Sequence, residues 1–191
     1  MTDRETIATR DRIMSAAIAE FAAFGIAGAR VDRIAREARV NKSLIYHHYQ
    51  SKEQLFIAVF EHHVVANINV VPLDASDLPA WAVALYDYYQ DDPRLLRLIT
   101  WTRLERTPAG DLFTAYGSLD RTVYRHLAEA QRAGILVDGI DAADLFSLVV
   151  AMAGAWAQSS STFAATSVDP PADHDRRRAA LADTVRRAFC R

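Results

Sequence analysis

The sequence predicts an all-α protein, and three observations lead to that prediction. Apolar residues recur at helical spacing along most of the 191-residue chain, and no run alternates in the manner of a strand. Glycine and proline are scarce, at 7 and 6 residues, and fall mostly between the helical segments. Since 51% of the residues are hydrophobic and 24% are charged, close to the globular average, we expect a folded chain with a sizeable core.

The N-terminal third contains four predicted helices whose ends are marked by particular residues. Gly25 and Gly28 close the first, because glycine accepts the left-handed conformation that ends a helix. Asn41, the last residue of a three-residue turn, is a good N-cap for the third helix. Ser51 and Gln54 form a capping box at the start of the fourth. The four predicted segments are 4–24, 31–38, 42–48 and 52–70.

Beyond these helices, the stretch "PLDASDLP" predicts a domain boundary. We therefore assign residues 1–50 to an N-terminal domain, residues 51–70 to a connecting helix, and residues 71–191 to a second, helical domain. Segment 141–161 is apolar on most sides, which is typical of a buried helix or a subunit interface. The helices predicted in the second domain are 78–90, 93–106, 110–133, 141–161 and 174–190.

Charge and cysteine content bound the class of protein. The net charge of −2 is too small to indicate a partner by itself, although residues 1–60 carry 9 basic and 7 acidic side chains against 13 and 17 in residues 61–191. The single cysteine, Cys190, argues for a reducing compartment. The N-terminus lacks a signal-peptide core, and no apolar run approaches the ~20 residues that cross a bilayer. The sequence thus predicts a cytoplasmic protein without a membrane segment.

Two short helices joined by a three-residue turn, and supported by a longer first helix, form the pattern of a helix-turn-helix. In that arrangement the second short helix, here 42–48, enters the major groove of DNA. Its exposed side chains can hydrogen-bond to phosphate oxygens or base edges. They are predicted to be Lys42, Ser43, Tyr46 and His47.

The chain has only two lysines among its 22 basic residues, Lys42 and Lys52, and four rings stand between them. We predict that both lysines contact phosphate rather than remain solvated charges. Lys52 lies in the first turn of a helix, where free amides and the helix dipole already favour an anion. Of the four rings, the first two are predicted to face DNA, whereas His48 and Tyr49 are expected mainly in the core of the small domain.

Residues 25–56, "GIAGARVDRIAREARVNKSLIYHHYQSKEQLF", resemble the DNA-binding signature of the tetracycline-repressor (TetR) family of transcriptional regulators. The resemblance implies a homodimer whose N-terminal modules bind the two half-sites of a palindromic operator in double-stranded DNA. It also implies that the C-terminal helical domain binds a small-molecule effector, which releases the repressor. The residues that match the family pattern are Gly25, Ile34, Ala35, Ala38, Val40, Tyr46, His48, Tyr49, Ser51, Lys52, Glu53 and Leu55.

The same resemblance implies roles for residues outside the groove-reading helix. Arg30, Tyr49 and Lys52 would support contacts with phosphates. The dimer interface would come from the last two helices, 141–161 and 174–190, and the apolar character of the first of these agrees with that independently.

The chain departs from the family pattern at two places. Before the first short helix the family carries threonine or serine, but this chain has Ala29 and Arg30, so the usual cap is missing. In the turn, Arg39 stands where the family has glycine. If this turn has a positive φ, an arginine there costs about 1 kcal/mol.

The second domain is rich in aromatic residues, most of which we expect in its core. Effector pockets are mostly apolar with a few polar anchors, so some of these rings are expected to line one. The candidates are Trp101, Tyr116 and Trp156.

An enzyme or small-molecule carrier without DNA binding is the alternative, but the sequence has no nucleophile elbow and no phosphate loop. No metal or cofactor is expected, because adjacent histidines such as those at 62–63 point about 100° apart on a helix and no HExxH pattern is present. Within the regulators, an activator or a regulator without a ligand remains open.

Overall fold

The computed structural model describes residues 3–110, 112 and 122–191 of the chain. Within these residues it contains nine α-helices and no β-strand, which confirms the predicted all-α fold. The helices are α1 (Asp3–Gly28), α2 (Val31–Glu37), α3 (Lys42–Tyr49), α4 (Lys52–Val70), α5 (Leu78–Asp91), α6 (Arg94–Glu105), α7 (Thr122–Arg132), α8 (Ala142–Ala153) and α9 (Pro171–Phe189). None of these helices is both long enough and apolar enough to cross a membrane.

The described residues form two compact units. The first lies within Met1–Ala66 and Arg94–Ser118, and the second within Asn67–Pro93 and Leu119–Arg191. Helix α6 therefore packs with the N-terminal segment, although it follows α5 in the sequence. These structural units do not test the predicted division into an N-terminal domain, a connecting helix at 51–70 and a second domain, which stays a prediction.

Apolar faces of α1 to α4 form the core of the first unit. Phe21 of α1 and Phe56 of α4 are both buried, and their rings meet edge to face at 5.2 Å. Burying a side chain of this kind stabilises the fold by ~1.5–3 kcal/mol, so this cluster holds together the helices that carry the site. The other large, fully buried side chains of these helices are Ile13, Ile34, Ile45, Leu55 and Phe60.

The caps predicted around α3 are present. The Asn41 Oδ1 atom accepts a hydrogen bond from the Leu44 amide at 2.7 Å, which fixes the start of α3. The Ser51 Oγ atom accepts from the Gln54 amide at 3.1 Å and caps the start of α4; this is one half of the predicted capping box, because the Ser51 amide donates to the Tyr49 carbonyl and not to the Gln54 side chain. Local hydrogen bonds therefore fix the residue at which α3 begins and the residue at which the next helix, α4, begins.

The second unit is built on α5, which packs against α8 and α9, while α7 packs on α8. Two predicted helix bounds are wrong in this unit. Segment 141–161 is helical only to Ala153, because Gly154 caps α8 and two tight turns follow it. Conversely, α9 begins at Pro171 rather than at 174, since proline is well suited to the first turn of a helix. The predicted helix 110–133 is also wrong at its bounds: residues 122–132 form α7, but Gly110, Leu112 and Ala133 are not helical, and residues 111 and 113–121 lie outside the described residues.

Candidate nucleic-acid interface

An open groove of about 620 Å³ lies in the first unit, where the starts of α2 and α4 meet the exposed face of α3. We call it the α2–α4 groove. Three cationic side chains line it, together with two carboxylates and several hydrogen-bonding groups, so both charge and polar donors converge beside α3. The lining residues are Arg30, Val31, Asp32, Lys42, Tyr46, Gln50, Ser51, Lys52 and Glu53.

Helix α3 exposes the four side chains that the sequence predicts to face DNA. Its other face is held down by buried Ile45 and Tyr49. An eight-residue helix is about 12 Å long, which is comparable to the ~12 Å width of the major groove. The four exposed residues are Lys42, Ser43, Tyr46 and His47.

The missing cap of α2 is replaced from within α1. Arg30 is the N-cap residue, and its side chain makes no capping hydrogen bond. Instead, its backbone amide donates to the Glu20 Oε1 atom at 2.8 Å. Arg33 holds the same carboxylate, with its Nε atom 2.7 Å from Oε1, and the pKa of Arg33 is raised by that hydrogen bond. The side chain of Arg30 is consequently not needed as a cap and lines the α2–α4 groove.

Lys42 already has an anionic neighbour in this groove. Its Nζ atom lies 3.0 Å from the Asp32 carboxylate, with both side chains largely exposed. The hydrogen bond with Asp32, followed by its charge, raises the pKa of Lys42. Because an exposed ion pair of this kind contributes little net stability, Lys42 can exchange the carboxylate for a phosphate at small cost.

Lys52 is placed differently from Lys42. Its Nζ atom donates to the carbonyl oxygens of Ala27 and Ala29, at 3.4 Å and 3.3 Å. It therefore fastens the end of α1 to the start of α4. An ammonium group has three donors, so one N–H remains for an anion in the α2–α4 groove, and the predicted phosphate contact stays a prediction.

His48 and Tyr49 turn toward the body of the unit, as the packing interpretation predicts. Tyr49 is buried, with 6% of its surface exposed, and its hydroxyl has no hydrogen-bond partner among the described residues. The Arg10 guanidinium lies 5.9 Å from the centre of its ring. The Nε2 atom of His48 is likewise buried without a partner there. A phosphate contact by Tyr49 remains a prediction, and it would require the hydroxyl to become accessible.

The turns at both ends of α3 hold non-glycine residues in the left-handed region. Arg39 precedes the helix with φ of 56°, and Gln50 follows it with φ of 61°. The departure from glycine at Arg39 is visible in the sequence. Gln50 was missed, because nothing in the sequence marks a glutamine as left-handed, although it lines the α2–α4 groove.

One face of α6 forms hydrogen bonds with the end of α1. Arg97, Trp101 and Glu105 are spaced four residues apart and share this face. The Ala22 carbonyl accepts from Arg97 Nε at 2.6 Å and from Trp101 Nε1 at 3.3 Å. The Ala27 amide donates to the Glu105 carboxylate at 2.8 Å. The helix that leads to α2 is thus tied to α6 by hydrogen bonds at both ends of this contact.

Gly25 makes this close contact possible. It interrupts α1 with φ of 70° and ψ of −175°, and helical structure resumes after it as far as Gly28. A Cβ atom at Gly25 would lie 2.7 Å from the Trp101 ring and 2.5 Å from Glu105 Oε1. Trp101, predicted to line a pocket, therefore lies against α1 in the first unit, and its pocket role stays a prediction.

Trp156, the second predicted pocket residue, belongs to a polar and aromatic cluster in the second unit. Its ring meets that of Tyr86 edge to face at 5.9 Å. The Tyr86 hydroxyl lies 2.7 Å from His174 Nδ1, and His174 Nε2 lies 3.1 Å from the Thr166 carbonyl. Since a carbonyl only accepts, a neutral His174 carries its proton on Nε2 and accepts from Tyr86. This chain of hydrogen bonds fixes the segment after α8 onto α9.

Two cavities in the second unit are candidates for an effector. An open one of about 390 Å³ is lined by Trp156, Phe163, Arg176, Arg177 and Ala180. A smaller one of about 160 Å³ is lined by Tyr89, Gln90, Asp91, Pro93, Ala157, Gln158, Ala165, Thr166 and Ser167. The third predicted pocket residue, Tyr116, lies outside the described residues.

Among residues 3–110, 112 and 122–191, no three His, Cys, Asp or Glu side chains are grouped in a way that could hold a metal ion.

Two family profiles match the chain. Residues 13–59 match the profile described as "Bacterial regulatory proteins, tetR family", which spans the helix-turn-helix. Residues 77–187 match "Tetracyclin repressor-like, C-terminal domain". The two matches leave only the chain ends and the segment between the two domains uncovered.

Individual proteins agree with these matches. The HTH-type transcriptional repressor SCO4008 of Streptomyces coelicolor is 43% identical over 160 residues, which cover 82% of each chain. The HTH-type transcriptional repressor NicS of Pseudomonas putida is 33% identical over 106 residues, covering 51% of this chain and 50% of its own. The crystal structure of the transcriptional regulator SCO4942 from Streptomyces coelicolor is 39% identical, with a TM-score of 0.78 over 95% of this chain and 98% of the other. Each of these relatives is described as a regulator of transcription.

Proposed function

Because this chain belongs to the TetR family of bacterial regulatory proteins, we propose that it is a transcriptional repressor that binds a palindromic operator as a homodimer. The observation that carries the proposal is the exposed face of α3 beside a groove lined by three cations. A face of this kind can donate hydrogen bonds to base edges while the surrounding cations neutralise phosphates.

Each residue of the interface has a proposed role. Tyr46, Ser43 and His47 dock in the major groove, where hydroxyl and imidazole groups can hydrogen-bond to base edges. Lys42 exchanges Asp32 for phosphate at the start of α3. Arg30 and Lys52 contact phosphates from the starts of α2 and α4, and Tyr49 is a supporting contact from beneath α3. The DNA sequence that these residues recognise is identified by the selection experiment described below.

We propose that two copies of the chain dimerise through α8 and α9, because regulators of this family act as dimers. Leu148 on α8 is 46% exposed and Phe163, in the segment between the two helices, is 52% exposed, which is apolar surface that a second copy would cover. Two copies would present two α3 helices to half-sites about one DNA turn apart, ~34 Å.

Release by a small molecule is proposed to act through the spacing of the two α3 helices. A ligand in the region 71–191 would favour a state in which that spacing no longer matches the operator. Coupling between sites of this type amounts to ~1–3 kcal/mol. Helix α6 follows α5 in the sequence, and its hydrogen bonds to α1 join it to the helix that leads to α2. Trp156, which lines the larger of the two cavities in the second unit, is proposed to contact the effector.

The proposal is tested by selecting bound duplexes from random DNA and measuring the affinity of the best one at several salt concentrations. We expect a palindromic site and a steep salt dependence, with a log–log slope of about −0.9 per phosphate contact. Lys42→Ala should make the slope shallower by about one such contact, whereas Arg132→Gln on α7 should not. No sequence preference together with no salt dependence would rule out the proposal.

Two further parts of the proposal have their own readouts. A reporter gene behind the selected operator should be silenced when the protein is present, whereas increased expression would indicate an activator. Fractionation of cells should place the protein in the cytoplasm, as the sequence predicts.

A further inference from the structure

Two strained residues flank the helix that is proposed to read DNA. Among the described residues, Arg39 and Gln50 are the non-glycine positions with positive φ, at 56° and 61°. One precedes α3 by three residues and the other follows its last residue directly. A Cβ atom disfavours this region and glycine tolerates it. Strain of this kind is concentrated at functional sites, where something other than folding retains it.

Neither side chain is needed to build its turn. The Arg39 amide donates to the Arg36 carbonyl at 3.2 Å, and the Gln50 amide donates to the Tyr46 carbonyl at 2.8 Å. Glycine would make the same two backbone hydrogen bonds without strain. Both side chains are exposed, and neither is held in a hydrogen bond or an ion pair by another described residue. The two turns therefore expose polar side chains that the packing of the fold does not require.

The spacing of the two turns suits the two sides of a DNA groove. Arg39 and Gln50 are separated by residues 40–49, and the eight of these that form α3 span about 12 Å, which is close to the ~12 Å width of the major groove. If α3 crosses the groove from one side to the other, each turn comes near one of the phosphate strands that border it. We propose that Arg39 and Gln50 contact these two strands and hold α3 between them. This inference rests on the proposed function.

The two residues would bind phosphate in different ways. The Arg39 guanidinium is a charged donor that can bind a phosphate through two N–H groups. The Gln50 amide donates without charge, and it lines the α2–α4 groove beside Ser51 and Lys52. An arginine contact releases a counterion from DNA, whereas a glutamine contact does not. The salt dependence of binding therefore separates the two contributions.

The experiment compares the full-length protein with Arg39→Gly, Arg39→Lys and Gln50→Gly on the selected duplex. Arg39→Gly should weaken binding about tenfold, as for loss of one charged hydrogen bond, and should make the salt slope shallower by about 0.9. Arg39→Lys should keep the slope. Gln50→Gly should weaken binding with an unchanged slope. Both glycine variants should melt at a temperature equal to or above that of the parent, since strain is removed. Arg132→Gln is the control for net charge.

The outcomes separate this inference from the function on which it rests. If the parent binds the selected duplex and both glycine variants bind it with the same affinity and slope, the inference is overturned. A change in melting temperature without a change in DNA affinity has the same meaning, because it assigns these residues a purely structural role. If the parent protein itself binds no duplex, the proposed function fails, and this inference fails with it.

Discussion

The backbone amide of Arg30 donates a hydrogen bond to the side chain of Glu20, with 2.8 Å between the nitrogen and oxygen atoms. The two residues are ten positions apart: Glu20 lies in α1, and Arg30 is the N-cap residue of α2. Glu20 is 8% exposed, and its carboxylate lies at the positive end of α2, where an acidic group is stabilised by the helix dipole. It thereby performs the capping that the residues before α2 cannot.

Replacing Glu20 should weaken the start of α2. Glu20→Ala leaves the Arg30 amide without its partner, and we expect a loss of about 1–2 kcal/mol in the free energy of unfolding, measured by urea denaturation. Glu20→Gln keeps an acceptor and should lose less. Glu129→Ala, at an exposed position on α7, is the control. Equal stability of Glu20→Ala and this control would show that the cap is unimportant.

Gly25 should tolerate no side chain, for two separable reasons. Gly25→Ala places a Cβ atom at positive φ and also drives it into Trp101 and Glu105. Gly134 has a similar φ of 73° with nothing within 4 Å of its Cβ position, so Gly134→Ala carries the backbone penalty alone. We expect losses of about 2–4 kcal/mol and about 1 kcal/mol, respectively. Thermal unfolding measures both, and similar losses would mean that the contact with α6 adapts easily.

Removing Asp32 should strengthen DNA binding. Asp32→Asn takes one negative charge out of the α2–α4 groove and releases Lys42 from its ion pair. We expect a several-fold higher affinity for duplex DNA at low salt, with the gain shrinking as screening increases. Asp183→Asn breaks a comparable exposed pair with Arg187 on α9 and serves as the control. A weaker complex for Asp32→Asn would instead assign the carboxylate to a base contact.

Tyr89 should make the protein sensitive to alkali. Burial, and to a lesser extent neighbouring Tyr88, raises the pKa of Tyr89 far above its usual value. A raised pKa in the folded state means that its contribution to stability is intact below the unfolded value of about 10 and is lost as the pH rises beyond it. The free energy of unfolding should fall by about 1.4 kcal/mol per pH unit in that window. Tyr89→Phe should lack this part of the dependence, as followed by urea denaturation at pH 8 to 11. Identical pH profiles for the two proteins would contradict the burial of this hydroxyl.

Much of the DNA-binding part is predictable because its signals are local. The exposed set on α3 follows from helical periodicity, since the burial of Ile45 and Tyr49 dictates which neighbours point outward. The cap at Asn41 depends on a hydrogen bond to a residue only three positions away. Even the cost at Arg39 could be anticipated, because the resembled family has glycine at this position of the turn, and the φ of 56° confirms the condition on which that expectation rested.

Other features escape the sequence because they join distant segments. In the sequence, nothing distinguishes Trp101 from the other aromatic residues. In the structure α6 lies on α1, where the Ala22 carbonyl accepts hydrogen bonds from Arg97 and Trp101, which are 75 and 79 positions further along the chain. The end of α8 at Ala153 was missed because the apolar residues continue past Gly154 while the backbone turns away. Tyr49 matches a DNA-binding pattern and is nevertheless buried, because one side of α3 must pack against the first unit while the other side stays exposed.

The sequence by itself determined the all-α class, the family, and the identity of the residues that α3 presents. These follow from periodicity, caps and a fixed pattern of spacing, all of which act over a few residues. Only the tertiary structure decided what supports that helix: a carboxylate from α1 that caps α2, an ammonium that ties α1 to α4, and a glycine that admits α6. Such contacts depend on which surfaces meet after folding, and a burial preference alone cannot specify which partner a side chain finds.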